Sequence, residues 1–327
     1  MTPTRNQVAE KAKVSSATVS RVFNKSGSVS PQLRDAVLAA AKELGYTPNK
    51  AAGMLRRRGT GVIAFVEIKK GARPYYWGNL SSFDWFFGRA LRGIQEAVKE
   101  SSWQLRFYSV SSKQELVALC NQCDGILAYD VDTIAEAQLF EGLPIPYVLA
   151  HHLEDYHDQH CIYTDNVLGG KLQGKFLQER GCVSPLYITG YTDSVMAHKH
   201  RLEGFLSVFP KAEILNSEVG SEHAIDGILS FVKEKVSRKE IDSIAAVNDL
   251  TLFELLLKMP CSLPSVGYDA SPFYRLFSGP VASVDIQSGE LYKVACRQLV
   301  SVLNGGEVKR LSIEPKLVLL GKQRDYV

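Results

Sequence analysis

The sequence predicts a small all-α head joined to a large α/β body made of two doubly wound parallel-sheet subdomains. Three observations carry this. Residues 1–60 hold eleven Lys/Arg against three acids, whereas the rest of the chain holds 27 against 32. The same stretch contains three short runs whose apolar residues recur three and four apart, the spacing of one helix face. From Gly61 onward, β-rich runs alternate with amphipathic helical ones, the pattern of parallel sheets covered by helices. A length of 327 residues fits two or three folding units, and 45% hydrophobic against 22% charged residues excludes wholesale disorder. No run approaches the ~18 apolar residues of a membrane helix, and the opening MTPTRNQVAEKA has no apolar leader, so a cytoplasmic chain without membrane contact is expected. Cys120, Cys123, Cys161, Cys182, Cys261 and Cys296 are scattered, and reduced core thiols are expected.

In the head, Thr4 is placed to cap a first helix through Lys11, with Val8, Ala9 and Ala12 inward. After a break at Lys13 and Val14, Ser15 caps a second helix to Phe23 that turns Val19, Val22 and Phe23 to the first. Two short helices joined by a tight turn make a helix-turn-helix. Ser16, Ala17, Ser20 and Arg21 remain outside, small residues and one long donor suited to a major groove, where Arg21 can address a guanine. Ser30-Pro31 then opens a third helix with a stripe of Leu33, Val37, Leu38, Ala41 and Leu44, closed by Gly45. The segment from Tyr46 to Arg58 is a linker. Asn49 can start a helix of barely two turns containing Gly53, far below the ~12 residues at which an isolated helix becomes marginal. Such a helix orders on DNA when a partner copy buries Met54 and Leu55 while Arg56, Arg57 and Arg58 face phosphates.

TRNQVAEKAKVSSATVSRVFN and VSPQLRDAVLAAAKELGYTPN resemble the headpiece of the lactose-repressor (LacI/GalR) family over residues 4–57. The resemblance implies that Ser16, Ala17 and Arg21 read bases. It implies that Thr4, Ser15, Thr18, Ser20, Asn24 and Ser28 approach phosphates, with Asn49 and Arg56 in the hinge and Leu55 inserted into a minor-groove step. Lys13 stands where the family usually has a glycine; a positive φ there would cost about 1 kcal/mol.

In the body, strands are expected at Val62–Ile68, Leu105–Val110, Gly125–Tyr129, Tyr147–Ala150, Pro185–Thr189, Glu213–Ser217, Ser243–Val247, Ser265–Tyr268, Val281–Val284 and Leu311–Leu320. By the same resemblance this is a periplasmic-binding-protein-like sensor whose chain crosses between subdomains near residues 160, 283 and 312. The implied division is a headpiece at 1–48, a hinge at 49–59 and a sensor at 60–327. Within the sensor, an amino-side subdomain spans about 60–160 and 284–312, and a carboxyl-side one about 161–283 and 313–327.

The resemblance also places effector residues. Asp84, Trp85, Phe86 and Phe87 fall in an expected ligand-facing loop before a helix, where rings stack on sugar C–H faces and a carboxylate accepts from hydroxyls. Arg201, Asn248 and Asp269 match the family's polar effector residues at strand ends. His151, Glu222 and Ile286 stand where relatives carry an aspartate, an aromatic and a glutamine, so the sugar is open; the tail EPKLVLLGKQRD is similar to a galactoside-sensing branch.

Two further patterns stand out in the sequence. His151, His152, His157 and His160 crowd one segment beside Cys161, with His198, His200 and His223 elsewhere, but solvated histidines outweigh a zinc site and no metal is expected. Cys120-Asn121-Gln122-Cys123 has redox spacing but no second pair. GxGxxG after the first strand, GxxxxGK[ST], GxSxG and HExxH are all lacking, so no enzyme and no cofactor is expected. What the residues and the resemblance imply together is a homodimeric repressor of double-stranded operator DNA, controlled by a small sugar. The alternative is a catabolite-type regulator answering to a protein corepressor or a phosphosugar.

Overall fold

The computed structural model describes residues 4–23, 29–44, 46, 59–69, 84–99, 101–151, 155–156, 160–219, 224–260, 262–273, 277, 280–307 and 309–319. The chain forms two compact units, Met1–Gly59 and Thr60–Val327.

In the first unit, helices α1 (Arg5–Lys11), α2 (Ser16–Phe23) and α3 (Pro31–Leu44) close on Val8, Ala9, Val19, Val22, Val37, Ala40 and Ala41. Thr4 and Gln7 form a reciprocal capping box on α1, and the Ser15 hydroxyl accepts from the Thr18 amide at 3.0 Å to start α2. The turn between them is a Schellman closure: Val14 N–H donates to Ala9 O at 2.9 Å, and Lys13 takes φ 52°. The positive φ anticipated at this lysine is therefore present. Two residues of the expected third-helix stripe are not in the core, Leu33 at 43% and Leu38 at 45% exposure. The inward face runs through Val37, Ala40, Ala41 and Leu44; Leu38 sits about 100° round the helix from Val37.

The second unit holds two six-stranded sheets. The first contains β1 (Val62–Ile68), β2 (Gln104–Val110), β3 (Gly125–Tyr129), β4 (Tyr147–His151), β5 (Cys161–Thr164) and β11 (Leu311–Ile313) in the order β11-β5-β4-β3-β1-β2, all parallel. The second contains β6 (Pro185–Thr189), β7 (Glu213–Asn216), β8 (Ser243–Ala246), β9 (Ser265–Tyr268), β10 (Val281–Asp285) and β12 (Lys316–Leu319) in the order β12-β10-β9-β8-β6-β7. Only its edge pair β10 with β12 is antiparallel. The central strands are buried along their whole length, as a sheet covered on both faces requires. Between strands run α4 (Asp84–Val98), α5 (Lys113–Leu119), α6 (Ile134–Gln138), α7 (Asn166–Gln178), α8 (Met196–Leu206), α9 (Ala224–Ser237), α10 (Asp249–Lys258) and α11 (Ser288–Leu303).

Three sequence expectations are corrected here. Cys161–Thr164 is a strand of the first sheet, so the first crossing lies at Asp165 and not near 160. The second follows Asp285, since β10 pairs in the second sheet while α11 lies on β3, β4 and β5 of the first. The expected single strand Leu311–Leu320 is two short ones in different sheets, and the third crossing falls at Glu314–Pro315. A four- or three-residue strand leaves too little periodicity to be read from the sequence.

The crossings are hydrogen-bonded to one another. Thr164 Oγ1 donates to Ile286 O at 3.2 Å, Asp165 N–H to Ile313 O at 3.1 Å, and the Gln287 amide to Glu314 O. Beside them α7 and α8 pack at backbone distance. A Cβ at Gly170 would stand 1.9 Å from Arg201 O, and one at Gly204 2.0 Å from Val167 O. Glycine at these positions lets α8 approach α7 closely and fixes where Arg201 starts. Of the cysteines, Cys123, Cys161, Cys182 and Cys296 are buried thiols, and burial pushes Cys123 up to about 11 and Cys296 up to about 12. Among the described residues, no helix is long and apolar enough to cross a membrane.

Candidate functional site

In the head, α2 turns Val19 and Val22 inward and leaves Ala17 and Arg21 exposed, with Ser16 and Ser20 half-buried. Ser16 Oγ accepts from Arg5 Nε at 2.6 Å, so its position is fixed by α1. Thr4, Ser15 and Thr18, expected near phosphates, all serve helix starts: the hydroxyls of Ser15 and Thr18 lie 2.9 Å apart, and Thr4 caps α1. Helix amino ends are themselves phosphate-binding geometry, so the capping roles and the expected contacts are compatible. Asn24, Ser28, Asn49, Leu55 and Arg56 lie outside the described residues.

In the body, strand order reverses between β1 and β3 in one sheet and between β6 and β8 in the other. Ligands of such sheets bind at the carboxyl ends of the strands beside these switch points. Six of the eight described non-glycine residues with positive φ sit at these strand ends or the crossing: Asp130, His151, Tyr191, Asp269, Ala270 and Gln287. Backbone held in this region is uncommon and costly, and it concentrates at functional sites.

Arg201 organises the carboxyl-side wall. It is 3% exposed. Its Nε donates to Asn166 Oδ1 at 2.9 Å and Nη1 to Val247 O at 2.7 Å, Nη2 lies 3.5 Å from Asp269 Oδ1, and the guanidinium sits 3.7 Å above the Tyr268 ring. The structure thus brings Arg201 and Asp269 together. Asn248, on the residue after Val247, caps α10 by accepting from the Thr251 amide at 2.9 Å. Burial raises Asp269 despite the opposing pull of Arg201. Burial, and then the nearby Asp269 charge, raise Asp249 well above the carboxylate range; its oxygens accept from Ser271 N–H and Ser283 Oγ, both at 2.7 Å. His198, inward on α8 against Gly190 O, is pushed down to about 4 by burial and then by the Arg201 charge.

The amino-side wall differs from expectation. Asp84–Val98 is one helix, so Trp85, Phe86 and Phe87 form its first turn and not a loop before it; the Asp84 side chain lies outside what is described. Phe87 packs into the core against Phe65, Phe107 and Tyr129, and Phe86 sets its edge on the His151 ring at 5.0 Å. Trp85 lies under the Arg89 guanidinium at 4.9 Å. His151 ends β4 with Nε2 at 3.3 Å from Asp130 Oδ1 and 3.6 Å from Asp132 Oδ1. Asp130 N–H donates to the Tyr292 hydroxyl at 2.9 Å, and Glu136 accepts from Asp132 N–H at 2.9 Å, which fixes both aspartates. Ile286 is fully buried, and Glu222 lies outside the described residues.

The donor atoms of Asp130, Asp132 and His151 lie within 4.8 Å of one another, a nitrogen and carboxylate set of the kind that holds a divalent ion. The crowded histidines themselves diverge: His160 stacks on Tyr147 at 4.7 Å, His200 Nε2 meets Asp155 Oδ1 at 2.9 Å, and His152, His157 and His223 fall outside the described residues. Asn166, Asp130, Asp132 and Asp249 have no role among the sequence expectations, and His198 figures there only among the scattered histidines. Polar residues just past the β-rich run Gly125–Tyr129 were the available signal for the two aspartates; nothing local marks Asn166 or His198.

Residues 5–49 match the family model described as bacterial regulatory proteins, lacI family. The ribose operon repressor of Halalkalibacterium halodurans is 27% identical, over 97% of this chain and 96% of its own. The HTH-type transcriptional regulator CelR of Thermobifida fusca is 28% identical over 97% of each. The solved complex of the transcriptional regulator CelR with cellobiose is similar at TM-score 0.63 and 26% identity, over 97% of this chain and 98% of that one. A lac repressor structure at TM-score 0.60 and 19% identity shares the fold.

Proposed function

We propose that the chain is a regulator of the lacI family whose headpiece model it matches, a sequence-specific transcriptional repressor and not an enzyme, with its operator affinity set by a small carbohydrate in the cleft of its body. The observation that carries this is the match over residues 5–49 to a head whose α2 turns Ala17 and Arg21 outward from an excess of basic residues. The chain acts in the cytoplasm as a homodimer. Two heads read two half-sites, and residues 49–57 of the two copies order together in the central minor groove. Ser16, Ala17 and Arg21 address bases; Thr4, Ser15, Thr18, Ser20, Asn24, Ser28, Asn49 and Arg56 address the backbone, and Leu55 a base step. Arg201, Asp269, Asn248 and His151 bind the effector. Asp84, Trp85, Phe86 and Glu222 complete the set, with Phe87 behind them in the core.

Effector binding moves the two subdomains about the three crossings and biases hinge ordering, the two-state element that couples the sites. A ligand preferring one hinge state tenfold shifts operator binding by only ~1.4 kcal/mol per site, so both sites act together. Selection of duplexes from a randomised pool tests the reading. A pseudo-palindromic site is expected, and Arg21→Ala should cost ~1–3 kcal/mol at one base position of each half-site. Uniform weakening over all sequences would remove Arg21 from base reading. Leu55→Gly should reduce operator affinity while sugar binding persists.

A further inference from the structure

The charge of the cleft points to the chemical class of the effector. Among the described residues, Arg201 and Arg89 of the cleft are each already matched by acid. Arg201 is spent on Asp269, Asn166 and Val247 O. Arg89 reaches Ala270 O at 3.0 Å and lies 3.9 Å from Asp285. Asp130 and Asp132 come in addition, gathered around the His151 imidazole, and Asp132 acts electrostatically on both His198 and Asp269 of the opposite subdomain. Beyond β3, β4, β6, β8, β9 and β10, the first four residues of sequence include no lysine or arginine; of the switch-point strands, β1 alone is followed by cations, Lys69 and Lys70. A phosphate entering beside β3 and β4 would meet Asp130 and Asp132 with no cation of those strand ends to offset them. A neutral sugar meets the same groups as acceptors for its hydroxyls.

We propose that Asp130 and Asp132 determine specificity in the cleft, admitting an unphosphorylated sugar whose hydroxyls donate to them and turning away its phosphate ester. This rests on the carbohydrate reading above. Charge is the ground on which it favours the sugar over the phosphosugar alternative.

The test uses the full chain and a panel of pentoses, hexoses and disaccharides, each paired with its phosphate ester and titrated by calorimetry at low ionic strength. The tightest ligand should be unphosphorylated, with its ester at least about tenfold weaker, and added salt should narrow the gap. The same ratio measured in Asp130→Asn/Asp132→Asn should fall towards one. An ester that binds as tightly as its parent sugar overturns the proposal; it would place the anion on another cation, with Lys69 after β1 as the candidate. A ratio unchanged in the double variant overturns the assignment to these two residues. If no member of any pair binds, the carbohydrate reading itself falls and this inference with it, an outcome distinct from binding of the ester.

Discussion

Arg201→Ala should damage the body before it reports on any ligand. The guanidinium is 3% exposed and holds Asn166, Val247 O and Asp269 together. Truncating one member of a buried charged network costs ~3–5 kcal/mol, because its partners stay buried without it. At ~2–4 °C per kcal/mol for a unit of this size, the melting temperature should drop by roughly 6–20 °C. The loss should also depend on pH. Burial already raises Asp269, and Arg201 is the charge that opposes the rise. Without it the folded-state value climbs further above the unfolded one, so the folded state binds the extra proton. Stability of the variant relative to the parent should then improve as pH falls from 7 towards 5. Arg201→Lys keeps the charge but not the planar fork, and should fall between the two. Thermal unfolding followed by circular dichroism at pH 7 and pH 5 measures all three chains. A variant melting within about 1 °C of the parent at both values would show that the network carries no stability. The consequence for function is practical: loss of a sugar response in Arg201→Ala is interpretable only well below its own melting temperature.

Three further outcomes are expected. His198 titrates near 6.5 when unfolded and is pushed down to about 4 when folded, so the unfolded state binds the proton first. Its neutral buried form therefore contributes stability above pH 6.5 that is lost as pH falls towards 4, roughly 3 kcal/mol in all; denaturant unfolding of His198→Asn should show a shallower acid loss, and an unaltered profile would contradict the burial argument. Gly170→Ala forces a Cβ to within 1.9 Å of Arg201 O and should destabilise by ~1–3 kcal/mol, while Gly227→Ala, with nothing within 4 Å, should be neutral or slightly stabilising. Equal melting temperatures for the two would refute the close α7–α8 contact. Lys13→Gly relieves φ 52° and should stabilise the head by up to about 1 kcal/mol, seen as a rise in the head's own unfolding transition.

How much of this was visible in the chain follows from the range of the interactions concerned. Whereas the positive φ at Lys13 was suggested only by the resemblance, the capped starts at Thr4, Ser15 and Ser30 depend on neighbours a few residues away and were legible without coordinates. So were the strands from Val62 to Ile68 and from Pro185 to Thr189, whose apolar β-branched runs are long enough to show themselves. Leu311–Leu320 was legible as a strand, but its division between two sheets was not, and four-residue Cys161–Thr164 is too short to announce itself; both follow from the partner edges that wait for them.

The site divides along the same line. Arg201, Asn248 and Asp269 were found by resemblance, but burial of the arginine is set by α7 meeting α8 at glycine distance, and Phe87 went to the core because α4 begins at Asp84. Asp130, Asp132 and His151 stand up to 21 positions apart, on two different strand ends. Local order and composition settle most of the helices and longer strands and put the positive charge at one end of the chain. Which polar groups meet at the strand ends, and how far burial shifts them, is set by packing, because convergence and desolvation belong to the folded chain and to no segment of it.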